Sequence, residues 1–436
     1  MKLTNTRLTK ARSATTHFGP LRRRQLLGAT GLALLSPVLG TSLARAASSG
    51  STPVGPPTLT LPAPTGRHPV GTTTVHLVDH ARRDPWRDSG SARELMLTLW
   101  YPAVLTPGCE PARQLSPGVA AQWQPSAQSA FGLTPNALDW AAIRTQAVPG
   151  APVRRGEGDR DGRLPVLLHS PGHNMPRGLG TVLATELASR GYTVVALDHT
   201  YETVAVEFPG GRVESMLKAV DQAALPALMG VRVADIRFVL DQLPRLAAGG
   251  DGRAAARLPP GLAGRLSSRA IGMFGHSLGG ATTAQAMHDD PRILAGADLD
   301  GAVRFGPGPN GEVGSVVEEG LDRPFLLLDS ALGNHTSPAL TDMWRHLRGW
   351  HRNFQLATAG HYSYTDLQAL LPTLAAAGRL PSSALADTVG TVDPCRSLRA
   401  QSAYLAAFFD LHLRHRSDHR LLDGPSADYP EMSFVA

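Results

Sequence analysis

The sequence predicts an α/β fold: a mostly parallel, doubly wound sheet with helices on both faces. Two observations carry that reading. From residue 164 to residue 414, short and wholly apolar runs alternate with helix-length segments, and buried parallel strands are apolar throughout because helices cover them on both sides. One such run, Ala270–Phe274, ends in Gly275-His276-Ser277-Leu278-Gly279-Gly280 and is followed at once by the helix-compatible Ala281–Met287, a strand–turn–helix order. With 42% hydrophobic and 18% charged residues, the chain has the apolar material for a large core, which excludes disorder as its default state.

The first 46 residues read as a twin-arginine-type signal peptide. A basic, polar start leads to Arg22-Arg23-Arg24-Gln25-Leu26-Leu27, a mainly apolar run to Leu43, and Ala44-Arg45-Ala46 as a cleavage site. Gly28, Gly31, Pro37 and Gly40 interrupt the run and small residues end it, which disfavours a membrane anchor. The expected product is secreted. Eight of the 42 Lys and Arg residues lie in this leader, which holds no Asp or Glu, so the whole chain's formal charge of +6 becomes 34 basic against 36 acidic residues after cleavage. No basic patch with interleaved aromatic residues then remains to suggest a nucleic-acid partner. The two cysteines, Cys109 and Cys395, would reach a compartment where a disulfide between them can form, and we expect one.

Residues 47–66 are rich in Ser, Thr, Pro and Gly and suit a flexible mature terminus, with residues 67–436 forming a single domain. Thr72–Val78 and Glu94–Trp100 read as an antiparallel strand pair at one sheet edge. Residues 103–163, rich in Pro, Gly, Gln and Ala, read as an insertion with short helices around Trp123 and at Ala137–Ile143. Strands are then expected at Leu164–His169, Tyr192–Leu197, Ala270–Phe274, Ile293–Leu299, Pro324–Leu328 and Arg352–Ala357. Helices are expected near Leu179–Arg190, Val231–Leu246, Gly279–His288, Leu340–Arg348 and Leu398–Arg414, with loops at 248–266 and 301–315.

The chemistry starts at Ser277. A strand that turns abruptly into a helix strains its central residue and crowds main chain on both sides, so glycine is needed at 275 and 279. The following helix aims its amino-terminal N–H groups at the place where negative charge develops in an acyl transfer. A serine hydroxyl needs a histidine base and an orienting carboxylate, expected in the chain order Ser, Asp, His. His361, in Thr358-Ala359-Gly360-His361-Tyr362-Ser363 just past a strand, is the candidate base; His276 is constrained in the turn, and His335 and His351 flank helices. Asp300 and Asp329 each end a strand, and the residues leave both open as the acid, with Asp298 third because it lies deeper in its strand. The candidate oxyanion donors are the backbone N–H groups of Leu278 and of His173, or Asn174 beside it, in Ser170-Pro171-Gly172-His173-Asn174.

No Gly-x-x-x-x-Gly-Lys-Ser/Thr phosphate loop, His-Glu-x-x-His or paired Cys-x-x-Cys occurs. His412, His415 and His419 fall on an Arg-rich amphipathic helix and its exit, a solvated face. No cofactor and no metal is expected.

Gly275-His276-Ser277-Leu278-Gly279-Gly280, the Leu299-Asp300 strand end, Gly360-His361 and Ser170-Pro171-Gly172-His173-Asn174 together resemble the plasma-type platelet-activating factor acetylhydrolases and their bacterial relatives, within the α/β-hydrolase superfamily. The resemblance runs from about Gly66 to Arg414. It implies an α/β-hydrolase fold and Asp300 as the acid, because in that family the acid follows the strand after the nucleophile helix. It also implies calcium-independent cleavage of short or oxidised acyl chains from phospholipids. The chain departs from the family's His-Gly-x-Gly pattern at Pro171 and His173. The expected protein is an exported serine esterase with a small ester or phospholipid as substrate and transient contact with a lipid surface. A general lipase or cutinase-like polyester hydrolase, and a catalytically silent binding protein on the same scaffold, are the alternatives.

Overall fold

The computed structural model describes residues 59–156, 162–217, 224–249, 258–305, 312–331 and 337–436. The expected leader with its cleavage site, and His335, lie outside the described residues. The chain opens with β1 (Val70–Arg83), β2 (Ala92–Pro102), α1 (Pro117–Phe131), β3 (Ala147–Pro149) and β4 (Leu164–Ser170). A 3-10 turn at Arg177–Gly180 runs into α2 (Thr181–Ser189), followed by β5 (Thr193–Asp198), a hairpin of β6 (Ala205–Glu207) and β7 (Val213–Ser215), and α3 (Leu225–Ala247). Next come β8 (Leu266–His276), α4 (Leu278–Asp289), β9 (Ala295–Leu299), the short pair β10 (Arg304–Phe305) and β11 (Glu312–Val313), α5 (Ser315–Glu319) and β12 (Phe325–Ser330). The chain finishes with α6 (Pro338–His346), β13 (His351–Leu356), α7 (Leu367–Ala376), α8 (Ser382–Val389), α9 (Pro394–Arg414) and β14 (Met432–Phe434).

Among the described residues, ten strands make one sheet in the order β14-β13-β12-β9-β8-β4-β5-β2-β1-β3. β2 runs antiparallel to β1 and β5, and β14 runs antiparallel to β13; the other pairings in the sheet are parallel. Side chains alternate across it. Along β4, Leu164, Val166 and Leu168 join a core with Ile236 and Leu240 of α3 and Ala281 of α4, while Leu167 between them joins Leu183 of α2 and Phe409 of α9 on the opposite face. Both faces of the strand are dry, which is why the run is apolar without interruption. The sheet is mostly parallel with helices on both faces, as the sequence predicts.

A third core explains the 103–163 segment. Leu115, Val119, Trp123, Phe131, Trp140 and Ile143 pack with Leu367, Leu370 and Leu374 of α7 and Val389 of α8. The helix near Trp123 is longer than expected, entering with Pro117 in its first turn and leaving through Gly132 at φ 69°. Ala137–Ile143 is a run of turns, not a helix. Only Ala137, Leu138, Trp140 and Ile143 of that stretch are buried, and a turn places them without the backbone cost of helix nucleation. α7 and α8 were not expected at all. Each is short, Pro372 interrupts α7, and burial against α1 supplies what local propensity lacks.

Two further expectations are corrected. Residues 59–66, assigned to a flexible terminus, follow a fixed path: Leu61 is buried and its N–H donates to Arg144 O at 2.9 Å, and Thr65 gives its N–H and hydroxyl to the two oxygens of Glu186 at 2.6 and 2.7 Å. Without Thr65 that buried carboxylate would lose two donors. Cys109 and Cys395 are both exposed and unlinked. Cys109 sits beside the Thr106 hydroxyl, 2.9 Å away, in the loop after β2, whereas Cys395 stands in the first turn of α9.

Candidate active site

β8 ends at His276 and α4 begins at Leu278, so Ser277 alone makes the turn, with φ 54° and ψ −124°. That conformation costs a residue with a side chain about 1–3 kcal/mol and persists only where neighbours fix it. Here the Ser277 N–H donates to Leu299 O at 2.9 Å, and its carbonyl accepts from Gly280 N–H at 2.8 Å. A Cβ at Gly275 would lie 2.2 Å from Gly279 O, and one at Gly279 would lie 1.9 Å from Ser170 O. Neither position has room for a side chain.

β13 delivers His361 to the same place through the 3-10 turn His361–Tyr364. Its Nε2 lies 3.0 Å from Ser277 Oγ and its Nδ1 lies 2.6 Å from Asp300 Oδ2. A carboxylate only accepts, so Nδ1 carries the proton toward Asp300 and Nε2 is left to accept from the serine hydroxyl. Asp300 is itself held, taking Ser330 N–H at 2.7 Å and the Ser330 hydroxyl at 3.0 Å. The structure thus brings Ser277, His361 and Asp300 together. It leaves Asp329 aside: no hydrogen-bond partner for its Oδ2 is found among the described residues, its side chain meets Asn353 and not His361, and its backbone carbonyl accepts from the Tyr364 hydroxyl at 3.0 Å. Asp298 instead braces the turn, accepting Gly301 N–H at 2.8 Å and occupying the space where a Cβ on Gly280 would stand, 1.7 Å away.

Leu278 is the first residue of α4, so its N–H has no partner within the helix. His173 lies in the loop after β4, and neither its N–H nor that of Leu278 donates to an acceptor among the described residues. Asn174 is at φ 63°, a reversal that ends this loop. The His173 ring is taken up elsewhere, with Nδ1 3.4 Å from Glu202 Oε1.

No protein-family model matches the chain. A curated relative from Arthroderma benhamiae, a probable 1-alkyl-2-acetylglycerophosphocholine esterase, is 28% identical over 396 residues, spanning 87% of this chain and 95% of the relative. A solved ferulic acid esterase from Streptomyces cinnamoneus is 35% identical, covers 87% of this chain and 100% of its own, and superposes with a TM-score of 0.68. The chain belongs to the α/β-hydrolase esterases. It is a carboxylic ester hydrolase.

In this esterase, electrostatics separate the three acids that the sequence leaves close together. Burial alone would raise Asp300, but the hydrogen bond and charge of His361, with the Ser330 N–H, hold it below the ordinary carboxylate value. Burial and the neighbouring Asp300 charge push Asp329 up to about 7. Burial and then Asp329 push Asp298 well above its ordinary value. Of the three, the one carboxylate that is readily ionised is the one His361 touches. His276, inside the turn motif, is held neutral by burial, with its pKa lowered to about 3. It donates from Nε2 to the His361 carbonyl at 2.9 Å and so ties down the segment that carries the candidate base.

Sequence reasoning missed a buried polar network beneath the His173 loop. Ser170 Oγ lies 3.0 Å from His199 Nε2, and His199 Nδ1 lies 3.0 Å from Asp235 Oδ2. Arg93 clasps Asp235 through Nε and Nη2 at 3.1 and 2.7 Å and reaches Asp84 at 2.9 Å. Arg232 binds Glu202 through Nε at 2.8 Å to both oxygens and through Nη2, and its Nη1 donates to Pro171 O at 2.8 Å. Every one of these side chains is buried. A signal for part of it was present: Arg232 and Asp235 interrupt the apolar stripe Leu228, Met229, Val233, Ile236, Val239 of α3, and charges on a core-facing stripe need partners.

Proposed function

We propose that this esterase works through a Ser277–His361–Asp300 triad. Ser277 attacks the ester carbonyl while His361 Nε2 takes its proton; Asp300 stabilises the imidazolium, and the N–H groups of Leu278 and His173 hold the oxyanion. The protonated His361 then gives its proton to the departing alcohol, leaving an acyl-serine. Water, deprotonated by His361, releases the acid and restores the serine. The observation that carries this reading is the relay of 3.0 and 2.6 Å from Ser277 through His361 to Asp300 at a strained strand-to-helix turn. Ser277→Ala is the deciding variant: retained ester hydrolysis would end the proposal.

For substrate, we propose short-chain acyl esters of phospholipids, supported by the Arthroderma benhamiae relative and the family resemblance of the site segments. A second reading, esters of ferulic acid, is favoured by the higher identity and full coverage of the solved Streptomyces cinnamoneus enzyme. Relative kcat/KM for an sn-2-acetyl phosphatidylcholine and for methyl ferulate, beside p-nitrophenyl esters of increasing chain length and tributyrin, decides between them. At least tenfold preference for the acetyl phospholipid is expected; preference for methyl ferulate selects the second reading. We also propose export through residues 1–46, supported by the twin-arginine pattern and the Ala44-Arg45-Ala46 site. Amino-terminal sequencing of protein from the medium should begin at Ala47.

A further inference from the structure

The His173 loop has no secondary structure of its own to hold it, yet an oxyanion donor acts only if it is fixed before charge develops. We propose that Arg232, clamped by Glu202, is the positioning residue that fixes this loop from below, so that the α3 ion pair sets the geometry of the oxyanion hole. The inference rests on the catalytic reading of Ser277.

Three observations converge on it. Arg232 Nη1 donates to Pro171 O at 2.8 Å and to Ser170 Oγ at 3.3 Å, so it grips both the last residue of β4 and the first of the loop. Among the described residues no peptide bond is cis, and in a trans peptide the N–H points opposite to the C=O. Fixing the Pro171 carbonyl therefore fixes the Gly172 N–H and the direction in which His173 departs. Glu202 is the shared partner: the carboxylate that holds Arg232 also meets His173 Nδ1 at 3.4 Å, one residue beyond the gripped carbonyl.

The surroundings make this clamp stiff. Arg232 and Glu202 are 1% and 2% exposed, so water cannot replace either partner. Glu202 is aimed inward by Tyr201 at φ 69°, whose hydroxyl accepts from Arg87 at 2.8 Å. The Ser170 hydroxyl is oriented as well: His199 donates its Nδ1–H to Asp235 and accepts the serine O–H at Nε2. A buried ion pair adds little net stability compared with an apolar replacement, but a planar guanidinium with five directed donors constrains geometry strongly. Here the Nε–H, shared between both oxygens, and one Nη2–H are spent on one carboxylate, and one Nη1–H on a loop carbonyl.

The test uses Arg232→Met combined with Glu202→Gln, which removes both charges and leaves no uncompensated buried ion, together with Arg232→Lys, which keeps the charge and loses the fork. Steady-state kinetics on p-nitrophenyl butyrate, fluorophosphonate labelling of Ser277 and the Ki of a phenylboronic acid, whose serine adduct carries a tetrahedral oxygen in the oxyanion position, are measured on each. In the double variant kcat should fall about ten- to a hundred-fold, with KM within twofold, labelling still one per chain and boronate affinity falling by the same factor as kcat. Arg232→Lys should lie between this variant and the wild type. A double variant with wild-type circular dichroism and a cooperative melt, but kcat and boronate Ki within twofold of wild type, overturns the proposal. If the double variant does not fold, wild-type kcat and boronate Ki in Arg232→Lys overturn it. Failure of the catalytic reading is a separate result, seen as absent Ser277 labelling in the wild type or full activity in Ser277→Ala.

Discussion

Two Ser–His–Asp sets with the same connectivity sit in this molecule, at the ends of neighbouring strands. In Ser277–His361–Asp300 the links are 3.0 and 2.6 Å; in Ser170–His199–Asp235 they are 3.0 and 3.0 Å. What differs is everything around them. His361 has a side chain 38% exposed, whereas His199 has none of its surface exposed. Ser277 stands at φ 54° before the amino terminus of α4, whereas Ser170 closes β4 with its hydroxyl also gripped by Arg232. On the proposed mechanism, a serine with a base and an acid is not yet a nucleophile. It also needs substrate access, a strained turn that presents the hydroxyl, and free N–H groups where the oxyanion will form. The buried set has neither the access nor the strained turn; its serine is the last residue of β4, paired with Gly275 just before the elbow.

The comparison is easiest to break with serine variants. Ser277→Ala should lower kcat on the order of a million-fold with an unchanged melting temperature. Ser170→Ala should do the reverse, costing about 1–3 kcal/mol of stability because His199 Nε2 loses its donor and Arg232 loses an acceptor, with kcat lowered less than about tenfold. Activity assays and thermal melts on both variants check this; equal kinetic losses would mean that the two sets are not functionally distinct. Exchanging acids comes next. Asp300→Asn should lower kcat about 10⁴-fold, since the amide no longer fixes the base tautomer, whereas Asp329→Asn should stay within a few-fold of wild type.

The crowding at the turn gives a third test. Gly279→Ala puts a methyl group 1.9 Å from Ser170 O, where the last residue of β4 meets the elbow. It should destabilise the protein by several kcal/mol, on the order of a severe overpacking defect; a melt within two degrees of wild type would show that the β4–α4 contact is looser than described.

The smallest effect is a pH dependence. Asp329 rises from an ordinary 3.8 to about 7 in the fold, so the native state holds this proton more tightly than the unfolded chain. Its contribution to stability is fully present below about pH 4 and is lost as pH rises through 7. Asp329→Asn, which mimics the protonated form, should raise the melting temperature by several degrees at pH 8 and by little or nothing at pH 4. Melts across that range test it, and an equal shift at both ends would remove Asp329 from the list of protonated buried acids. Glu202 works in the opposite sense. Burial opposes its ionisation, but Arg232 brings it down to about 2 from 4.5. Its contribution is therefore present above pH 4.5 and disappears as the pH falls toward 2.

Much of the site was legible because it is built from local chemistry. Ser277 could be found from glycines, an apolar run before and a helix-compatible run after, all within about fifteen residues. His361 could be found because a loop just past a strand is where a parallel sheet presents side chains. Asp300 and Asp329 could not be separated this way, since both end apolar strands and sequence alternation treats them alike. Their difference is a matter of neighbours: β9 lies directly beside β8, with His276 paired to Leu299, while β12 lies one strand further out. α1 and α7 were partly or wholly hidden because Pro125 and Pro372 mask their periodicity, and α8 because it is only eight residues long; the stability of all three comes from burying one another.

The sequence by itself determined the class of fold, the order of the central strands' elements, and the serine at the elbow, because each depends on periodicity or on steric demands within a few residues. The tertiary structure decided which carboxylate His361 meets, where strand-end position left two open and the family resemblance implied Asp300; it alone decided that the 103–163 segment shares a core with α7 and α8, and that charges on α3 reach under the His173 loop. Those features join residues from distant parts of the chain, Arg232 to Pro171 and Asp300 to His361. Such pairings depend on strand order and on the desolvation that only a closed core provides.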